Sequence, residues 1–348
     1  MRALYCRSTT WSCRVALAVT AALLVLVATP SPIISAQRPN FQSGAFSPDG
    51  KLLAMIGGSW IYLWDLAGAQ PRVLRLSHQA DGMCLAFSGD GRTMVSGSFV
   101  PLFLVPVLPL PNPVHAITVW DVATGRRVRD FLPGSMVQSV AFSPDGSLLA
   151  AGTLGLFRRN QLKVWNLRTG RALHFPRHRT LEVALVAFSP DGSKLAVSDY
   201  EGVSIVDFSN RTDHLLVRRP QRASFGISFA PDGKLLATTY PDGSIRLWDL
   251  QTWRVQVALT PPSGGAGVPT FSPDGKTLAA FCSDGAVHFW DVGSGRELRA
   301  FVLGQKWVGS FAFLADGKTF AAASLDGTLE KWNLDSGEEI GKFSLIAK

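Results

Sequence analysis

The stretch from Pro269 to Val302 shows the pattern that organises most of the chain. Pro269 to Ser272 is a short apolar run, and Ser272-Pro273-Asp274-Gly275 has the chemistry of a tight turn, with Pro presetting the second position and Gly ending it. Thr277 to Phe281 is the next apolar run, Ser283-Asp284-Gly285 the next turn, and Ala286 to Trp290 alternates small and large side chains. Asp291 to Gly295 reverses the chain into Glu297 to Val302, a more polar segment. The pattern predicts four antiparallel strands in about 42 residues, with the fourth at the edge of the sheet.

This unit recurs. Asp-Gly pairs end in Gly50, Gly91, Gly146, Gly192, Gly233, Gly275 and Gly317, spaced 41 to 55 residues apart, which makes seven units. Six carry an aromatic pair behind the turn: Trp64-Asp65, Trp120-Asp121, Trp165-Asn166, Trp248-Asp249, Trp290-Asp291 and Trp332-Asn333; the fourth has Val206-Asp207 instead. Seven four-stranded units at this spacing predict an all-β chain folded as a seven-bladed β-propeller over residues 37–348. With the Thr124-Gly125, Thr169-Gly170, Ser294-Gly295 and Ser336-Gly337 turns in register, residues 41–346 resemble the WD-repeat family. The resemblance implies a protein-interaction scaffold that catalyses nothing and binds through loops on one propeller face.

Each recurring Trp is expected to wedge between adjacent blades, where burial of ~150 to 250 Å² is worth at most about 4 to 6 kcal/mol. Val206 makes the fourth blade the expected weak seam. Relatives often place a His thirteen residues before the Asp-Gly glycine, in a network with a hydroxyl, an Asp and the Trp. This chain has Gln37, His78, Pro133, Arg179, Pro220, Pro262 and Gly304 there, so only His78 fits and no blade holds the whole network. Each blade is expected to use four consecutive strands, with Glu339 to Leu345 completing the seventh, so the N-terminal strand clasp that usually closes such rings is expected to be missing.

Composition adds a targeting segment. Arg2, Arg7 and Arg14 precede the apolar stretch Val15 to Ala28, which is short for a membrane span and suits a signal peptide. Residues 1–36 read as an export signal cut after Ala36, or as an uncleaved anchor with its basic end in the cytoplasm. The protein is then expected to be periplasmic, secreted or tethered, and monomeric. The formal net charge of +8 includes those three Arg, and what remains is spread without a basic run or interleaved aromatics, which argues against nucleic acid. Cys84 and Cys282 fall in the second and sixth units, too far apart around a ring to pair, and read as small buried hydrophobes.

A catalytic site has little to stand on. The chain lacks a nucleophile elbow, a paired-His zinc helix, a Cys-x-x-Cys pair and a phosphate-cradling Gly loop. His115, His214 and His288 are scattered, and His174 and His178 sit beside Arg177 and Arg179, which repel a divalent ion. The turn carboxylates Asp49, Asp145, Asp191 and Asp274 are a blade apart and answer to turn geometry. No metal and no cofactor are expected. Asn210-Arg211-Thr212 is a glycosylation sequon, meaningful only in a host with that machinery.

Departures from the repeat point to function. Between its second and third strands the second unit carries the apolar, Pro-rich insertion 100–115, and the third unit expands similarly through Leu154 to Asn160. In a WD-like ring these project from one face on neighbouring blades, a docking patch with Leu102, Phe103, Leu104, Val105, Leu108 and Leu110 as anchors and Phe157, Arg158 and Arg159 at its rim. An insertion folded onto its own blade fits the sequence equally well. Trp307, Met136 and Asp81 lie ten residues before their turn glycines, positions that the family resemblance implies ring the channel mouth on that face. Trp253 is expected to be exposed on the opposite face. The partner is then a protein or peptide, and the N-terminal segment or the 100–115 loop would carry any membrane contact. The competing reading is a propeller enzyme, or a carbohydrate or small-ligand binder, using the channel mouth.

Overall fold

A computed structural model describes residues 41–58, 60–66, 74–77, 81–99, 117–133, 136–154, 162–173, 183–199, 201–210, 212–218, 226–262, 265–303 and 308–345. They form seven four-stranded antiparallel sheets, each built from four strands consecutive in sequence. The blades span residues 41–77, 81–131, 136–173, 183–218, 227–259, 270–302 and 308–344. Blade 6 matches the pattern: Thr270–Phe271, Thr277–Phe281, Ala286–Asp291 and Glu297–Val302, with the polar fourth strand outermost. The chain divides after Arg38, and the propeller lies in the unit that starts at Pro39.

The ring is closed. The first strand of each blade lies beside that of the next, and the seventh blade's first strand lies beside the first blade's. Among the described residues no strand crosses the closing seam, and Glu339–Ser344 completes blade 7 as its fourth strand. Packing holds that seam: Phe41, Leu53, Met55 and Trp64 of blade 1 meet Ala321, Ala323, Leu329 and Leu345 of blade 7. Phe41 stands edge-on to Tyr62 and Trp64, with centroids 5.5 and 5.7 Å away, and Tyr62 stacks on Trp64 at 5.7 Å.

Every hydrophobic cluster of the described residues spans two adjacent blades, one cluster per seam. A four-stranded sheet has two apolar faces and cannot cover either alone, so burial requires the neighbours. Within each cluster the repeat Trp faces the preceding blade. Trp120, Trp165, Trp290, Trp332 and Trp64 are buried, while Trp248 is half-buried. Val206 replaces Trp between blades 3 and 4, among Leu162, Val164, Val186 and Val197, with Phe188 stacked on Phe208 at 5.7 Å.

The indole N–H groups differ in how they are satisfied. Trp120 Nε1 donates to Ser96 Oγ at 2.9 Å and Trp248 Nε1 to Thr238 Oγ1 at 3.1 Å, each hydroxyl lying two residues past the Trp's cross-strand partner. Blade 1 has Met55 at that position, and the buried Trp64 Nε1 has no acceptor.

Two outcomes follow from these seams. Trp64→Phe removes an indole that makes no hydrogen bond, whereas Trp120→Phe also breaks one, so urea denaturation should show the second to be costlier by about 1 kcal/mol. Native-state hydrogen exchange should be faster in Gly202–Asp207 than in the third strands that end in Trp-Asp or Trp-Asn, because Val206 fills less of its seam; equal protection in all blades would contradict this.

Candidate functional site

In a four-stranded antiparallel blade the first and third turns leave one end, and the second turn and the blade-to-blade connection leave the other. The propeller therefore has a turn face and a loop face of different character.

The turn face is a self-satisfied set of repeats. In blade 6 the Ser272 hydroxyl donates to Asp274 Oδ1 at 2.6 Å, the Lys276 and Thr277 N–H groups donate to Asp274 Oδ1 and Ser272 Oγ at 3.0 and 2.9 Å, and Gly275 N–H closes the turn on Ser272 O at 2.9 Å. Gly275 has φ 71°, which a side-chain-bearing residue adopts only with strain. The Ser47-Asp49, Ser88-Asp90, Ser143-Asp145 and Ser189-Asp191 turns repeat the arrangement. Adjacent turns also touch: a Cβ on Gly192 would lie 3.5 Å from Pro144, and one on Gly275 3.5 Å from Pro231. These carboxylates brace turns, as the sequence implied, and the Trp-Asp acids do the same, since Asp291 Oδ1 accepts from the Ser294 N–H at 2.7 Å and the Ser294 hydroxyl at 2.6 Å.

Trp253 departs from expectation. It occupies the turn position that is Gly125, Gly170, Gly295 and Gly337 in other blades, and it adopts φ 58° there. It is not left in solvent. Its ring packs 4.0 Å from that of His214 on the outer strand of blade 4, and it joins the seam between blades 4 and 5, where Trp248 is only half-buried. The stacking and burial offset a left-handed conformation that costs a non-glycine residue about 1 to 2 kcal/mol.

The loop face varies. Asp81 opens the first strand of blade 2 opposite Phe99, the last residue of the second strand; Met136 opens that of blade 3 opposite Leu154, likewise the last. The two long connections, 100–116 and 155–161, thus leave from the same end of neighbouring blades, beside the starts of their inner strands. Met136 is half-buried there. Leu102, Phe103, Leu104, Val105, Leu108, Leu110, Phe157, Arg158, Arg159 and Trp307 lie outside the described residues, as do His78, His174 and His178 and the side chain of Asp81.

Trp60 was not anticipated from the sequence. It begins the third strand of blade 1, Trp60–Asp65, at the loop-face end, and is 43% exposed. Alternation with Tyr62 and Trp64 marks its side of the strand, but only the ring shows that its end of the seam opens to solvent. The remaining loop-face turns are short and braced by their own acids: Asp199 accepts from Gly202 N–H at 3.1 Å, Asp242 from Ser244 N–H at 2.9 Å and Asp326 from Thr328 N–H at 2.9 Å. Arg246 pairs with Asp242 at 3.4 Å and lies over the Tyr240 ring at 3.9 Å.

Among the described residues no group of three or more His, Cys, Asp or Glu could hold a metal ion, and no helix is long and apolar enough to cross a membrane. Cys84 and Cys282 are buried free thiols, each pushed up to about 12 by burial and so un-ionised at neutral pH.

Four segments, 126–166, 223–249, 266–291 and 296–333, match the WD domain, G-beta repeat family. Those four segments are similar to WD40 repeats. Among curated proteins it is 28% identical over 208 residues to periodic tryptophan protein 2 of Arabidopsis thaliana, a match covering 59% of this chain and 21% of that protein. It is 29% identical over 206 residues to small ribosomal subunit protein RACK1y of Oryza sativa subsp. japonica, covering 58% and 46%, and 27% identical over 222 residues to protein groucho of Drosophila melanogaster, covering 61% and 27%. The matches thus span from about a fifth to under half of these relatives' lengths. The crystal structure of the computationally designed Ika8 protein superposes with a TM-score of 0.63 at 20% identity over 88% of each chain, a likeness of fold alone.

The turn carboxylates carry a pH dependence. The Ser189 and Ser193 hydroxyls lower Asp191 from 3.8 to about 2. A folded value below the unfolded one gives stability that is complete above pH 3.8 and is lost as the pH falls through 2. Thermal midpoints compared between pH 5 and pH 3 should therefore fall less for Asp191→Asn than for the unmodified protein.

Proposed function

We propose that this WD-repeat propeller is a non-enzymatic scaffold, exported or held at a membrane by residues 1–36, that binds a protein or peptide through one arc of its loop face. The arc runs over blades 7, 1, 2 and 3 and takes in Trp307, Trp60, the 100–115 insertion with Leu102, Phe103, Leu104, Val105, Leu108 and Leu110, and Phe157, Arg158, Arg159, Met136 and Asp81. One observation carries this reading: the pairings Asp81 with Phe99 and Met136 with Leu154 set the ends of the 100–116 insertion and of the 155–161 connection at the same end of adjacent blades.

Physical chemistry supports it. Apolar anchors ringed by Arg suit a desolvated contact with a partner, whereas the turn face spends its carboxylates on its own backbone. Two matched relatives are named as components of larger assemblies, the small ribosomal subunit and telomerase, which is in keeping with a propeller that works by holding partners.

The test compares proteins captured from the native host by the intact chain, by a chain lacking 101–113 and by an Arg158→Glu, Arg159→Glu double variant. Val302→Ser, at a 77% exposed position on the outer strand of blade 6, is the control. At least one captured protein should be lost from both loop variants and kept by the control; an identical set in every arm overturns the reading. Fractionation of the host should find the chain outside the cytoplasm or in the membrane fraction.

A further inference from the structure

His288 is an ionisable group that the repeat does not require. It sits in the middle of the third strand of blade 6, Ala286–Asp291, is 5% exposed and is stacked on Trp290 at 5.8 Å. Each ring nitrogen meets a carboxylate: Nδ1 lies 2.6 Å from Glu297 Oε1 and Nε2 lies 2.9 Å from Asp284 Oδ2. Asp284 belongs to the turn before the strand, on the loop face, and Glu297 opens the outer strand Glu297–Val302 at an irregularity where the register shifts between Phe289 and Trp290.

A neutral imidazole carries one N–H and one bare lone pair, so it can donate to only one of the two carboxylates and must set its lone pair against the other. The imidazolium donates to both. Among the described residues, the charges that act on the ring are those of Asp284 and Glu297. Ala280 and Ala300 are its cross-strand neighbours, Val257 and Leu259 of blade 5 line the same seam, and burial, followed by Asp284 and Glu297, pushes the Cys282 thiol up to about 12. The carboxylates approach opposite edges of the ring and cannot converge on a shared cation.

We propose that Asp284, His288 and Glu297 form a buried proton-binding site that pins the outer strand of blade 6 to its loop-face turn, and that loss of the proton unpins them. The site is independent of the arc assigned to partner binding. Burial is the largest influence on His288 and works against its charge, but the hydrogen bonds to Glu297 and then Asp284 outweigh it and leave the group above its ordinary 6.5. A raised folded value means that the stabilisation is complete below pH 6.5 and is lost as the pH climbs through the folded value.

The experiment is an NMR titration of the histidine-labelled full chain, with His288→Gln identifying the resonance. A midpoint above 6.5 that falls in Glu297→Gln is the expected result; a midpoint at or below 6.5, or one that Glu297→Gln leaves in place, overturns the proposal. Hydrogen exchange, corrected for the intrinsic effect of pH, should show Glu297–Val302 losing protection as the pH rises through the midpoint found by NMR, relative to Glu339–Ser344, the matching strand of blade 7. Equal change in the two strands would also overturn it. Should His288→Gln fail to fold, the unmodified chain and Glu297→Gln suffice, with the resonance identified by its response to Glu297→Gln.

Discussion

The whole molecule depends on apolar contact between neighbouring blades. A four-stranded sheet of some forty residues exposes two apolar faces, and only a ring of sheets covers all of them at once. The clusters lie at the seams for that reason, and the repeat Trp lies where one side chain can fill the gap between diverging sheets. At about 4 to 6 kcal/mol as an upper bound for each ring, these wedges dominate over any single hydrogen bond in a turn.

The seams differ instructively. Six are crossed by the chain as it passes from one blade to the next, while at the closing seam the described strands of blades 1 and 7 meet by packing, with Phe41, Tyr62 and Trp64 against the small residues Ala321 and Ala323. Packing substitutes for connectivity. Between blades 4 and 5, where Trp248 is incompletely covered, Trp253 reaches from a strained turn onto His214. In blade 6 the buried His288 bridges Asp284 and Glu297 of the outer strand, and in blade 7 Lys342 meets the buried Glu330 at 2.7 Å in a comparable place. The same backbone plan is thus secured by different chemistry in different blades.

The proposed function rests on the asymmetry of the two faces. Turns that satisfy their own polar groups offer little to a partner, and the Ser-Pro-Asp-Gly face is built of these. The loop face carries the interruptions of the repeat, concentrated on consecutive blades. A rigid ring with variable loops on one side is suited to recognition, because the scaffold bears the cost of order before a partner arrives.

Repetition made the architecture readable from the sequence. Turn chemistry like that at Asp274-Gly275 recurs seven times and the Trp-Asp or Trp-Asn pair six times, so blade number, strand order, the polar outer strand and the burial of Trp64 or Trp290 could all be deduced. Contacts that join residues through space could not. Nothing in the sequence marks Glu297 as the second partner of His288, Trp253 as a lid over His214, Trp60 as the exposed end of an otherwise buried ladder, or Trp64 as the indole without an acceptor. Those depend on which side chains the closed ring brings within a few ångströms, a distance set by blade twist and seam width, whereas the repeat itself is written in short-range rules that each segment obeys alone.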